Sequence, residues 1–125
     1  MADTSQQFTF TMAPGQVNIG SNSFPMKLGP SRVDRIIVSF PPGCAFFVNC
    51  QIRCGGSAVF PNQEGAFFHF DGYNFDVPVT TDHLNGDWAI AIANTDSLQH
   101  EIQVNIQYQY LEKGTLTSDV LPTSL

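Results

Sequence analysis

Apolar and polar residues alternate with a period of two along nearly the whole chain, and no segment carries a helical stripe over three turns. The clearest run is EIQVNIQYQY, where Ile102, Val104, Ile106, Tyr108 and Tyr110 alternate with Glu101, Gln103, Asn105, Gln107 and Gln109. That is a strand with one buried and one wet face. Just before it, Trp88, Ile90 and Ile92 alternate with Ala89, Ala91 and Ala93, and the turn NTDSLQH between the two runs predicts an antiparallel hairpin.

Upstream, FTFTM places Phe8, Phe10 and Met12 on one face, and Ala13-Pro14-Gly15 separates it from a short strand at Val17-Asn18-Ile19. The stretch GSNSFPMKLGPS, with two prolines and two glycines, reads as an extended arm or loop. RVDRIIVSF is the next strand and stops at Pro41-Pro42-Gly43, because consecutive prolines cannot donate to a ladder. CAFFVNCQIRC follows, then Gly55-Gly56, and short strands are expected at 57–60 and 66–70. Asp71-Gly72 reads as a turn pairing 68–70 with 73–75.

Short strands at roughly ten-residue spacing predict a single-domain, all-β antiparallel β-sandwich of jelly-roll or related Greek-key type. The expected organisation is an N-terminal strand and Pro/Gly-rich arm over 1–31, a sandwich core over 32–111, and a flexible C-terminal tail over 112–125. One domain is what 125 residues allow.

The charged fraction is only 13%, so much of the surface must be neutral Asn, Gln, Ser and Thr, and the eleven phenylalanines add large contact areas. Such a surface suits packing against other proteins. The net charge of −6 disfavours nucleic acid and anionic membranes as partners, since no Lys or Arg lies between Arg53 and Lys113, where eight of eleven carboxylates fall. No apolar run approaches the roughly 18 residues of a membrane span, and MADTSQQFTF lacks the order of a signal peptide, so a cytoplasmic origin is expected.

Candidate chemistry is sparse. Cys44, Cys50 and Cys54 fall within eleven residues, but on a straight strand neighbours lie about 13 and 20 Å apart, too far for a disulfide or a shared zinc. Their even spacing puts them on the apolar face with Phe46, Val48 and Ile52, and a packing role is favoured over a catalytic thiol. His69-x-Asp71 with His100 has the order of an iron-binding facial triad, yet nothing basic follows before Lys113 to hold a cosubstrate. DGYNFD and DHLNGD carry oxygen ligands without the spacing of a calcium loop. Trp88 reads as a core residue. No catalytic, metal or cofactor residue is assigned, and no cofactor is expected.

The segments RIIVSFPPGCAFFVNCQIRCGG…FP and DWAIAIANTDSLQHEIQVNIQY resemble small β-sandwich proteins encoded by tailed bacteriophages, among them capsid decoration and accessory head proteins, over roughly residues 32–110. The resemblance implies a non-enzymatic structural protein of the virion, made in the host bacterial cytoplasm, that binds the major capsid protein as a symmetric homo-oligomer. The three-fold positions of an icosahedral shell suggest a homotrimer. Phe8, Phe10 and Met12 are the partner-contact candidates, because FTFTM can add to a neighbour's sheet edge or serve as the first strand of its own sandwich. The alternative is a carbohydrate-binding module or receptor-binding tip, with Tyr73 and the 82–87 loop facing a glycan.

Overall fold

A computed structural model of the chain describes residues 4–28, 31–61, 63, 65–78 and 87–110. Nine strands occur among them: β1 (Thr4–Met12), β2 (Val17–Asn18), β3 (Phe24–Lys27), β4 (Ser31–Phe40), β5 (Val48–Cys54), β6 (Ser57–Phe60), β7 (Tyr73–Val77), β8 (Asp87–Asn94) and β9 (His100–Tyr110). They form two antiparallel sheets packed face to face, one in the order β1-β9-β4-β7, the other β2-β8-β5-β6 with β3 also on β8. The chain is an all-β sandwich.

The alternating residues explain the layers. Ile36, Val38 and Phe40 of β4 and Ile102, Val104 and Ile106 of β9 turn inward from one sheet, and Ile52, Trp88, Ile90 and Ile92 from the other. All are at most 1% exposed, so each contributes about 1.5–3 kcal/mol relative to exposure in water. On the outer face of the first sheet, β9 presents Glu101, Gln103, Asn105 and Gln107, as the alternation predicts.

β2 and β3 behave as one interrupted strand. Both pair with β8, Val17 opposite Ala93 and Phe24 opposite Ile90, and the short 3-10 turn Gly20–Asn22 breaks them. Counted so, eight strands pair first with last, second with seventh, third with sixth and fourth with fifth: a nested set of hairpins wrapped into two sheets.

The structure revises several local expectations. β8 and β9 do not form a hairpin, since they lie in different sheets and 95–99 crosses between them. The crossing is fixed by Asn94, which is fully buried. Its amide Nδ2 donates to the carbonyls of Met12 (3.2 Å), Ala13 (3.1 Å) and Leu98 (2.9 Å), and its Oδ1 accepts from Asp96 N–H at 3.0 Å. Residues 66–70 are not a strand: only Phe68 bridges, to Cys50 through two 2.8 Å bonds. β7 therefore pairs with β4, not with 68–70, because Phe68, Phe70 and Phe75 are drawn into one ring cluster with Phe40 and Phe60. CAFFVNCQIRC is a strand only from Val48; 44–47 is a turn.

The segment read as an arm is built into both sheets. β1 pairs with β9 over its whole length, from Thr4 opposite Tyr108 to Met12 opposite His100, and β3 holds its proline at a sheet edge, where the missing N–H costs least. Of the two readings of FTFTM, the first strand of its own sandwich is the one found. The C-terminal tail 112–125 and all of DHLNGD but Asp87 lie outside the described residues.

Asn94→Ala leaves buried carbonyls without donors and is expected to lower unfolding free energy by about 2–3 kcal/mol. Asn105→Ala on the outer face of β9 should change it by less than about 0.5 kcal/mol. Urea titration of the two variants measures the difference.

Candidate interaction surface

The nested order brings the connections 13–16, 41–47, 61–72 and 95–99 to one end of the sandwich, and backbone bonds tie them to one another. Phe47 C=O accepts from Thr95 N–H (3.0 Å) and from Thr95 Oγ1 (2.8 Å), joining the β4–β5 and β8–β9 connections. Asp71 Oδ1 accepts from Gly43 N–H at 2.9 Å, and Pro41 C=O from Gly72 N–H at 3.4 Å, joining the β6–β7 connection. The end is a braced platform.

The platform presents apolar groups. Phe46 is 58% exposed, Phe47 46%, Tyr73 53% and Leu98 62%, whereas Cys44 beneath them is fully buried. Ala45 (φ 49°) and Phe46 (φ 65°) are both left-handed, a region that costs a residue with a Cβ roughly 1–2 kcal/mol. Two residues beyond Gly43 at φ 103°, they turn the chain so that Phe46 points out and meets His69 edge-on, ring centroids 6.1 Å apart. An open groove of about 420 Å3 lies beside the platform, lined by Ser39, Asn74, Glu101 and Gln103 with Pro41 and Pro42 at its rim.

The residues singled out in the sequence do not converge on a reactive centre. Cys50 and Cys54 face the core with Val48 and Ile52, as the spacing predicts, but Phe46 leaves that face. Burial raises the pKa of all three thiols, Cys50 well above its usual value and Cys54 to about 11, where Asp87 adds to the effect. His69 touches Phe46, Asp71 holds Gly43, and His100 Nε2 meets Asp96 Oδ2 at 2.7 Å, so the three members of the suggested iron triad have separate partners. Asp76 pairs with Arg35 at 3.0 Å, which separates it in role from Asp71. Among the described residues, no three His, Cys, Asp or Glu side chains are grouped to hold a metal ion, and no helix is long and apolar enough to cross a membrane.

Tyr73 opens β7 opposite Phe40, and Asp87 opens β8 opposite Lys27 at the other end of the sandwich; the rest of the 82–87 loop named with Tyr73 lies outside the described residues. Of the partner-contact candidates, Met12 is fully buried, and Phe8 and Phe10 are half-buried against the core. No protein-family model matches the chain, and no curated protein matches it either.

Sequence reasoning missed Phe46, Phe47 and Leu98. A signal for the first two was present: adjacent phenylalanines cannot both point to one face of a strand, so the double Phe after Pro-Pro-Gly marks a break in alternation.

Phe46→Gly relieves the left-handed strain and is expected to raise stability by about 0.5–1 kcal/mol in urea titration. The three thiols should stay unlabelled by a thiol reagent at neutral pH until denaturant unfolds the chain. The hydrogen bond from His100, then that from Ser97 N–H, lowers the Asp96 pKa. Its contribution is therefore present above the unfolded carboxylate value of about 4 and lost as pH falls through the lower folded value. Unfolding free energy measured against pH should fall less steeply below about pH 4 in Asp96→Asn than in the parent.

Proposed function

We propose that the chain is a non-enzymatic structural protein of a bacteriophage particle, an accessory head protein that binds the major capsid protein and assembles as a symmetric homo-oligomer. The observation that carries the reading is the braced apolar platform. Phe46 and Phe47 are held out on a strained turn that the β6–β7 and β8–β9 connections fix in place. Backbone strain kept at an exposed aromatic fits a role in contact, since a glycine there would give a more stable fold.

The strand order supports the same reading at the level of fold. With β2 and β3 counted as one, the order 1-8-3-6 against 2-7-4-5 supports a jelly-roll reading of the sandwich, an architecture used by viral capsid and lectin domains. Buried thiols with raised pKa values and carboxylates engaged in structural bonds are compatible with a protein that works by contact rather than by chemistry.

A carbohydrate-binding role is the second reading, and the groove lined by Ser39, Asn74, Glu101 and Gln103 favours it, because a hydroxyl, two amides and a carboxylate suit sugar hydroxyls.

Particles released from the source organism, purified on a density gradient and analysed by mass spectrometry, are expected to contain the chain in proportion to their shell protein; its absence sinks the particle reading. Purified chain should co-sediment with particles that lack it, and Phe46→Gly with Phe47→Ser should lose binding while remaining folded. Saturable retention on a glycan array, lost in Asn74→Ala, would move the function to the groove.

A further inference from the structure

Each sheet ends in edge strands whose unpaired N–H and C=O groups invite another strand, and folded proteins blunt such edges with charge, proline, bulges or brevity. Most edges of this sandwich carry one of these devices. β7 has five residues and the Arg35–Asp76 ion pair at 3.0 Å; β3 carries Pro25 and Lys27; β6 has four residues and runs into Pro61.

β1 carries none. It has nine residues, TSQQFTFTM, without charge or proline, and its register against β9 runs unbroken from Thr4 to Met12. No other strand among the described residues pairs with its far side. On the inward side it shows a row of half-buried rings, Phe8 stacked on Phe10 at 6.4 Å and Phe10 on Phe24 of β3 at 4.8 Å, which crosses the gap between the two sheet edges.

We infer that β1 is a self-association edge, pairing antiparallel with β1 of a second copy about a two-fold axis at Phe8. The lack of charge along β1, and its overlap with itself over its full length, favour a second copy as the occupant. Copies of a chain with net charge −6 repel one another, and β1 is a long edge at which they meet without bringing carboxylates together. Centring on Phe8 overlaps all nine residues: Gln7 faces Thr9 of the partner, Thr9 faces its Gln7, and Phe8 faces Phe8. Such an overlap adds about eight to ten backbone hydrogen bonds and joins two four-stranded sheets into one of eight. The phenylalanine rows of the two copies then meet beneath the new ladder, each covering the other. This deepens the oligomer part of the proposed function and does not depend on the particle part.

Charge placed on the outer face of β1 tests the pairing and its register. Gln7→Lys with Thr9→Lys sets lysine opposite lysine twice, whereas Gln7→Lys with Thr9→Glu sets lysine opposite glutamate twice. Sedimentation of the full chain is expected to show a dimer, weakened at least about tenfold by the double lysine and retained by the lysine–glutamate pair. The double lysine reduces the net negative charge, so it would strengthen an association driven by general charge balance; weakening identifies the edge. Circular dichroism checks that both variants fold. A chain that sediments as a monomer at every soluble concentration overturns the inference. So does a dimer or trimer indifferent to both variants, or protection of β1 amides from exchange that is independent of concentration and lost on deleting residues 112–125.

Discussion

Trp88, Ile90 and Ile92 on β8 and Ile102, Val104 and Ile106 on β9 form two apolar stripes, and each leaves water by facing the opposite sheet. The fully buried residues of the two stripes together outweigh any single turn, since each large side chain contributes about 1.5–3 kcal/mol and a typical hydrogen bond about 1 kcal/mol. Consecutive strands can therefore change sheets, provided the crossing satisfies its own polar groups. Asn94 does this at the β8–β9 corner, and the same bonds hold the end of β1.

From that corner the loop end follows. Once β8 and β9 separate, Thr95 lies against Phe47, and the β4–β5 connection gains a fixed neighbour. The bond from Gly43 to Asp71 adds a second brace. Between the two, the chain has little room to turn, and Ala45 and Phe46 take left-handed conformations. Rigidity there has a recognisable benefit for binding, because a pre-set aromatic loses little conformational entropy on contact. The β1 edge differs: its contribution comes from backbone groups, with no strained residue and no charge.

Fold class was legible because burial on one face leaves a period of two in the sequence, clearest in β9 and β4. The pairing of strands was not, because a hairpin and a sheet-to-sheet crossing carry the same alternation; the NTDSLQH connection suits either. The buried polar pair on the outer face of β5 was hidden for another reason. Gln51 and Arg53 have the parity of a wet face, yet Gln51 donates to the carbonyls of Gln63 and Ala66, and Arg53 to Gln51 and to Gly56 C=O. The connection after β6 covers Gln51 and the turn at Gly56 covers Arg53, and alternation reports nothing about such cover. Cys50 and Cys54 were read correctly from parity, whereas Cys44 reached the core through a turn that parity does not describe.

The partnership of β1 with β9 joins the two ends of the described chain: Gln7 and Gln103 hydrogen-bond at 3.3 Å across 96 positions, and Tyr108 and Gln6 at 3.4 Å across 102. On the ribosome, β1 is made early and its partner late, so the uncharged strand waits while nearly the whole described domain is synthesised. Folding of this sheet is therefore completed only after translation has passed β9, and long-range closure of this kind is slow. During that interval each nascent chain carries a bare uncharged strand, and pairing among such strands competes with native closure against β9.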